Sequence, residues 1–473
     1  MACPLPIGFS DFAQIRGEGL TYVDKTGLVG DVVHSNRQVL LLARPRRFGK
    51  TLNLTMLRAF FERTDQEPTA IFDGLEVTRA GDEVMGHFQR HPVIYLTFKD
   101  VKHRNWADCF DQLQGVIADE VVRHRVTWRQ APVDAAALDR LEMVVDRVAT
   151  QADWSAVLQR LSATLAAATK QQVVILIDEY DTPIHAGFVH GYFDEIITFF
   201  RNFLSGGFKD NPHLYRGVVT GILRVAKESI FSGLNNVDVH TVLSSQFGRW
   251  FGFTQAEVQA LADACGQPQA MAVLSDWYDG YQIGGQAIYN PWSVLNQLVR
   301  PGEAPAPWWV NTASDDILRE LLIGAGMELQ DDLSALIRGQ TVTRPISEHI
   351  VLRDVRQDVD SLWSFLLFSG YLTVDGTPTR LPDGRFEAAL RIPNREVATV
   401  YRNLFSTWMR KALSAWSDAP RRLCRAFLEG NEPVVRKLLQ RLILETLSYF
   451  NLGGRQAEAV YQAFVVGLLV QLQ

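Results

Sequence analysis

At 473 residues, 47% hydrophobic and 21% charged, the chain can build two or three cores and is not a disordered polymer. A net charge of -6 supplies no global field toward nucleic acid, so any such contact must be a local patch. The four cysteines, Cys3, Cys109, Cys265 and Cys424, lack CxxC spacing; this excludes a zinc knuckle and fits a reducing compartment better than a disulfide scaffold.

The N-terminus, Met1-Ala2-Cys3-Pro4-Leu5, has no basic region followed by an apolar stretch, so no secretory signal is expected. The apolar runs Val173–Ile177 and Phe464–Val470 fall short of the roughly 20 residues of a membrane span. A cytoplasmic protein without membrane contact is expected.

In chain order, Val39–Ala43 is a continuous apolar run, the pattern of a strand buried on both faces. His91–Phe98 reads as a second strand, Val173–Ile177 as a third, Arg216–Ile222 as a fourth and Val239–Leu243 as a fifth. A long insertion separates the second from the third, with helical spacing in Trp106–Val126, Ala135–Val148 and Trp154–Ala168. Strands alternating with helices point to an α/β domain with a parallel sheet.

The first strand runs into Arg44-Pro45-Arg46-Arg47-Phe48-Gly49-Lys50-Thr51 and then an amphipathic helix through Leu54, Leu57, Phe60 and Phe61. That is the layout of a phosphate-binding loop. Gly49 lets the backbone approach a phosphate, and the helix start presents free N–H groups. Lys50 would reach the β- and γ-phosphates, and the Thr51 hydroxyl would hold Mg²⁺. The loop departs from GxxxxGK[ST] at its first position, which is Arg44, and Pro45 removes a backbone donor.

The third strand ends in Asp178-Glu179-Tyr180-Asp181, placing acids at its carboxyl edge, where ligands of open α/β sheets sit. Asp178 would orient Mg²⁺, and Glu179 would polarise an attacking water. Capping of the next helix is the plainer reading of these acids, but their order after Gly49-Lys50-Thr51 favours a nucleotide. Thr220 at the end of the fourth strand is the candidate sensor of the γ-phosphate, and Arg224 the candidate for stabilising charge on it. A solvated arginine at a helix start is the alternative for Arg224.

Arg44–Thr51 (RPRRFGKT), Tyr22–Thr26 (YVDKT), Ile177–Thr182 (IDEYDT), Thr220-Gly221-Ile222 and Ser229–Asn236 (SIFSGLNN) resemble the bacterial and fungal AAA-ATPase-like family. Further matches run through Phe251–Thr254, Tyr278–Tyr281, Tyr289-Asn290-Pro291, Ser369–Leu372 and Ile392-Pro393-Asn394, so the resemblance spans nearly the whole chain. It implies an ATP-binding P-loop domain followed by a helical region and, commonly, a PD-(D/E)XK nuclease-like domain. It makes Arg44 and Pro45 family features. By analogy Asp24 would lie near the nucleotide, with a helix N-cap before Thr26–Val33 as the alternative.

The expected fold is therefore a P-loop NTPase of ASCE/AAA-like type, its parallel sheet flanked by helices and followed by a mostly helical C-terminal half. The expected divisions are a P-loop domain over 1–253, a helical or winged-helix-like domain over 254–395 and an incomplete nuclease-like start over 396–473. Arg44, Arg46, Arg47, Phe48, Gly49, Lys50 and Thr51, with Asp24 and Thr220, form the expected ATP site. Thr51 and Asp178 form the Mg²⁺ site, and Glu179, Lys50 and Arg224 are the catalytic groups. Glu458 resembles the acid of a first nuclease helix, but no Asp plus Glu-x-Lys pair follows it before Gln473, and Ala389 stands where Pro382-Asp383-Gly384 and Glu387 would need a lysine. Nuclease activity is not expected from these residues. The leading function is a Mg²⁺-dependent ATPase that couples nucleotide state to the C-terminal half. The second is a nucleotide-gated binding module with negligible hydrolysis, working with a partner nuclease in defence or on nucleic acid. Homo-oligomer formation and a nucleic-acid partner are left open.

Overall fold

Five apolar runs form the strands β1 (Val39–Ala43), β2 (Val93–Thr97), β3 (Val173–Asp178), β4 (Leu214–Gly221) and β5 (Val237–His240). They make one parallel sheet of order β2-β3-β4-β1-β5 in a computed structural model. It describes residues 3–64, 70–223, 236–309, 327–349, 352, 355, 358–403 and 419–438. β1 and β3 are buried along their whole length, as strands covered by helices on both faces must be. β4 lies between β1 and β3, with Leu42 opposite Thr220 and Ile177 opposite Val219. The ends of these three strands therefore reach the same rim of the sheet.

The expected strands are present, the first with both ends as read and the others shifted by up to three residues at an end. The insertion between β2 and β3 is helical, as its spacing predicts: Trp106–Arg123, Arg125–Trp128, Ala135–Val145 and Gln151–Thr169. Asn105, Asp134 and Thr150 cap three of these helices with side-chain oxygens. Gln151–Thr169 packs along Phe193–Phe208, whose Phe199, Phe200 and Phe203 join Phe98 in an aromatic cluster beside the sheet.

By its contacts the chain divides into one unit of Met1–Ala313 with Gly339–Val397 and a second of Ser314–Arg338 with Ala398–Gln473. In the larger unit, helices Gln255–Ala264, Met271–Tyr278 and Pro291–Leu298 pack around Tyr278, Tyr289 and Val294. A three-stranded antiparallel sheet of β6 (Phe253–Thr254), β7 (Tyr281–Ile283) and β8 (Gln286–Tyr289) accompanies them. Further on, β9 (Val342–Ile346), β10 (Thr373–Val374) and β11 (Thr379–Arg380) all pair with β12 (Phe386–Arg391). The Pro382-Asp383-Gly384 segment is the hairpin turn between β11 and β12. The helix Val359–Ser369 is buried from Leu362 onward. Described parts of the second unit include the helices Met327–Ile337 and Ala419–Leu428. Among the described residues, no helix is long and apolar enough to cross a membrane.

Cysteine spacing argues against a disulfide scaffold, yet one bridge, Cys3–Cys265, is present across 262 residues of sequence. Spacing misses it because the N-terminal arm meets the end of helix Gln255–Ala264 only in the folded chain. Cys109 is free and buried.

A second tie comes from the YVDKT segment. The Lys25 ammonium donates to both carboxylate oxygens of Glu257, at 2.6 and 2.8 Å, and to the Arg249 carbonyl at 2.8 Å. Breaking a buried pair strands the remaining charge at about 3–5 kcal/mol, which the partial exposure of Glu257 reduces to roughly 2–3 kcal/mol. Lys25→Ala is therefore expected to lower unfolding free energy by about that amount, and Glu257→Gln in the same chain to restore part of it. Chemical denaturation of the single and double variants measures both, and a single-variant loss under about 0.5 kcal/mol would contradict the assignment.

Candidate functional site: a phosphate loop against a buried acid

β1 ends at Ala43, and the loop that follows closes at Gly49, whose φ of 83° is left-handed and suited to a residue without a Cβ. Lys50 opens the helix Lys50–Phe61, so unpaired N–H groups of its first turn face the loop. The Lys50 ammonium is buried and donates to the carbonyls of Arg44 at 3.1 Å and Pro45 at 3.0 Å. An ammonium has three N–H donors, and these two bonds leave one for a ligand oxygen. Burial pulls Lys50 below its ordinary pKa, while Glu179, Asp181 and Asp178 hold it charged.

Asp178, fully buried at the end of β3, joins the pieces. Its Oδ2 accepts from the Thr51 hydroxyl at 2.7 Å and its Oδ1 from the Thr220 hydroxyl at 2.6 Å. The sequence-derived residues Thr51, Asp178 and Thr220, from three separate elements, are thus one hydrogen-bonded group. Glu179 follows in a left-handed backbone conformation, φ 51°, partly exposed, and accepts from the Thr182 hydroxyl at 3.2 Å. A non-glycine residue held at positive φ is a cost of about 1–2 kcal/mol that the surroundings must enforce.

The loop arginines divide their work. Arg44 is fully buried, donates to the carbonyls of Ala43 and His240 and lies over the Phe251 ring. Burial pulls its guanidinium down to about 9, and its Nε and Nη2 have no hydrogen-bond partner among the described residues. Arg47, at φ 65°, donates to the Trp308 carbonyl at 2.6 Å and stacks on Trp292 at 4.4 Å. Arg46 is partly exposed, and its charge adds to burial, the larger cause, in lowering both Lys50 and His185. Phe48 is a buried anchor: its ring meets Tyr281 edge-on, and its carbonyl accepts from Gly252 N–H. The oxygens of Asp24 are both taken, one accepting from Thr26 in the local turn and the other from the N–H of Glu76, 52 residues on. Arg224 and Glu458 lie outside the described residues.

Two acids have roles that a reading of the sequence does not assign. Asp181 is the N-cap of helix Thr182–His190, but its carboxylate makes no cap bond and instead accepts from Ile222 and Leu223 N–H. Its place in the DEYD run was the available signal. Glu396, fully buried, accepts from Trp309 N–H at 2.7 Å and from the Ser293 hydroxyl. Nothing local marks it. Trp309 is 1% exposed and packs on Tyr371, a core residue as expected of its type.

Mg²⁺ keeps several waters and takes one or two protein oxygens beside substrate phosphates. Thr51 and Asp178 fit that demand, and among the described residues no cluster of three His, Cys, Asp or Glu offers a denser site.

Residues 6–231 match the family model described as "Predicted AAA-ATPase", just under half of the chain. This supports a nucleotide-binding ATPase in the part that carries the loop and the acid. An uncharacterized protein of the vnfD 5′ region in Azotobacter chroococcum mcd 1 is 32% identical over 324 residues. Those residues are 67% of this chain and 56% of that protein, so the chain spans little more than half its length. Among solved structures, the Walker-type ATPase PABY2304 of Pyrococcus abyssi is similar at 12% identity and a TM-score of 0.38, covering 80% of this chain and 94% of that one. That likeness is too loose to bear on function.

Burial pushes the Glu396 carboxyl from its ordinary 4.5 up to about 7, against the pull of Trp309 N–H, the Ser293 hydroxyl and Arg47. The folded chain keeps this proton where an unfolded one has released it, so stability falls as pH rises from about 4.5 to about 7. Glu396→Gln is expected to flatten that fall by on the order of 2–3 kcal/mol. Denaturation midpoints of both proteins at pH 5 and pH 7.5 measure it, and parallel pH profiles would refute it.

Proposed function

We propose that the chain binds ATP at this loop and hydrolyses it with Mg²⁺, coupling nucleotide state to its C-terminal half. The observation that carries the reading is the Asp178 carboxylate shared by Thr51 and Thr220. A buried carboxylate at this rim, one hydroxyl from the loop helix, suits a metal beside a triphosphate.

Lys50, held by two loop carbonyls, turns its remaining N–H to the β- and γ-phosphate oxygens. Thr51 and Asp178 would hold Mg²⁺, which would supply positive charge to offset that of the phosphates. Glu179 takes a proton from water as the water oxygen bonds to the γ-phosphorus. The bond from phosphorus to the bridging oxygen breaks, and ADP leaves with the electron pair. Thr220 orients Asp178, and Arg46, whose charge reaches Lys50, is the loop arginine suited to the phosphates. Coupling to the later chain is supported by consecutive loop residues. The Arg46 carbonyl accepts from Trp309 Nε1, Arg47 donates to Trp308, and Phe48 is held by Gly252 and Tyr281.

One observation favours the alternative of a nucleotide-gated module with negligible hydrolysis. Glu179 already accepts a hydrogen bond from Thr182, which a general base must give up. Steady-state phosphate release and ATP affinity separate the readings. Lys50→Ala is expected to abolish ATP binding; Glu179→Gln is expected to keep affinity and slow release by about 10²-fold or more. ATP binding without turnover by the wild type would select the gated module, and unchanged affinity in Lys50→Ala would remove the site itself.

A further inference from the structure

The tetrapeptide Asp178-Glu179-Tyr180-Asp181 does two jobs with its two successive pairs of residues. Asp178 and Glu179 face the phosphate end. Tyr180 and Asp181 are buried, 0% and 1% exposed, and both reach across to the end of β4. Asp181 Oδ2 accepts from Ile222 N–H at 2.8 Å and from Leu223 N–H at 3.0 Å. The Tyr180 hydroxyl donates to the Leu223 carbonyl at 2.8 Å, and Tyr180 N–H donates to the Thr220 carbonyl at 3.1 Å. Bonds from amides to a buried carboxylate are charge-assisted and among the stronger ones available.

Gly221 lies in the middle of this grip. A Cβ there would come within 2.7 Å of Asp181 Oδ1 and 2.8 Å of Tyr180 Cε1, so no larger residue fits without displacing the clamp. The Gly221 carbonyl accepts from Arg44 N–H at 3.0 Å, which ties the same segment to the root of the phosphate loop. Thr220, just before it, carries the hydroxyl bound to Asp178. His185, one helical turn on, brings Nε2 to 3.7 Å from Asp181 Oδ2, and that nitrogen has no hydrogen-bond partner among the described residues.

We propose that Asp181, with the Tyr180 hydroxyl, is a positioning residue that clamps Ile222 and Leu223 and so holds Thr220 against Asp178. The role rests on the ATPase reading above. It places the residue outside the phosphate contacts: loss of the clamp lets Thr220 and the metal-side carboxylate drift, while the loop that binds the triphosphate keeps Lys50. The consequence is a defect in turnover with little change in binding. A misplacement of about 1 Å at a reacting centre is worth on the order of 10²-fold in rate.

The test uses the full chain with Asp181→Ala, Asp181→Asn and Gly221→Ala. Amide hydrogen exchange is read at Ile222 and Leu223, and ATP turnover is read as kcat and KM. In Asp181→Ala, exchange protection is expected to vanish at those two amides and to persist in β1 and β3. Its kcat should fall about ten- to hundredfold with KM within about threefold. Asp181→Asn keeps an oxygen acceptor and should recover part of both, including when Asp181→Ala fails to fold. Gly221→Ala should reproduce the Asp181→Ala pattern from the opposite side. Unchanged kcat with intact protection in Asp181→Ala, or equal loss of kcat and ATP affinity, overturns the proposal. A wild type that binds ATP without turnover removes the hydrolytic reading instead. The exchange result then decides the clamp alone: retained protection at Ile222 and Leu223 overturns it.

Discussion

One carboxylate sets the geometry on which the rest depends. Asp178 is a fully buried acid whose two oxygens are each taken by a hydroxyl, from Thr51 at the start of the loop helix and Thr220 at the end of β4. Burying a carboxylate costs several kcal/mol unless it is compensated, and hydroxyl donors supply only part of that. The nearby positive charge is Lys50, itself pulled below its ordinary pKa by burial, against which Glu179, Asp181 and Asp178 favour its charged form. Acid and ammonium therefore make one electrostatic unit that sequence order alone keeps apart. The strand order β2-β3-β4-β1-β5 brings it together by setting β4 between the loop strand and the acidic strand.

The Arg-Pro loop gains a structural account from the same arrangement. A glycine-rich loop wraps a phosphate with backbone donors; here Pro45 lacks one, and flanking side chains fasten the loop from outside. Arg44 is spent on the sheet, through the His240 carbonyl and Phe251. Arg47 is spent on the Trp308 carbonyl, whose own peptide N–H, that of Trp309, donates to Glu396. A single peptide unit is thus polarised between a guanidinium and a carboxyl. The conformation of the loop depends on residues more than two hundred positions later in the chain, which is the physical basis for the proposed coupling.

How much of this was legible beforehand follows from the range of each interaction. β1 and β3 are unbroken apolar runs, and Gly49-Lys50-Thr51 and Asp178-Glu179 are contiguous, so periodicity and local motifs reach them. The small strands β6, β10 and β11 have two residues each, too few to show alternation, so the segment from 254 onward reads as mainly helical. Asp24 could be weighed as ligand or cap from its neighbours, but the helix Leu28–Val33 starts at Gly27 without a side-chain cap, and Asp24 instead accepts from Thr26 and from the distant Glu76 N–H. The Lys25–Glu257 pair, the Cys3–Cys265 bridge and the burial of Glu396 join residues far apart in sequence, where no local pattern exists to read. Asp181 was visible but misleading, since an acid before Thr182 looks like a helix cap while its side chain turns to β4 instead.

The central claim is that Asp178 and the phosphate loop form one metal-dependent nucleotide site. Calorimetric titration of ATP into wild type and Asp178→Asn, each with and without Mg²⁺, tests it most directly. The account predicts that Mg²⁺ tightens ATP binding to the wild type by about tenfold or more, and that Asp178→Asn binds metal-free ATP but loses this gain. An equal Mg²⁺ response in both proteins would contradict it.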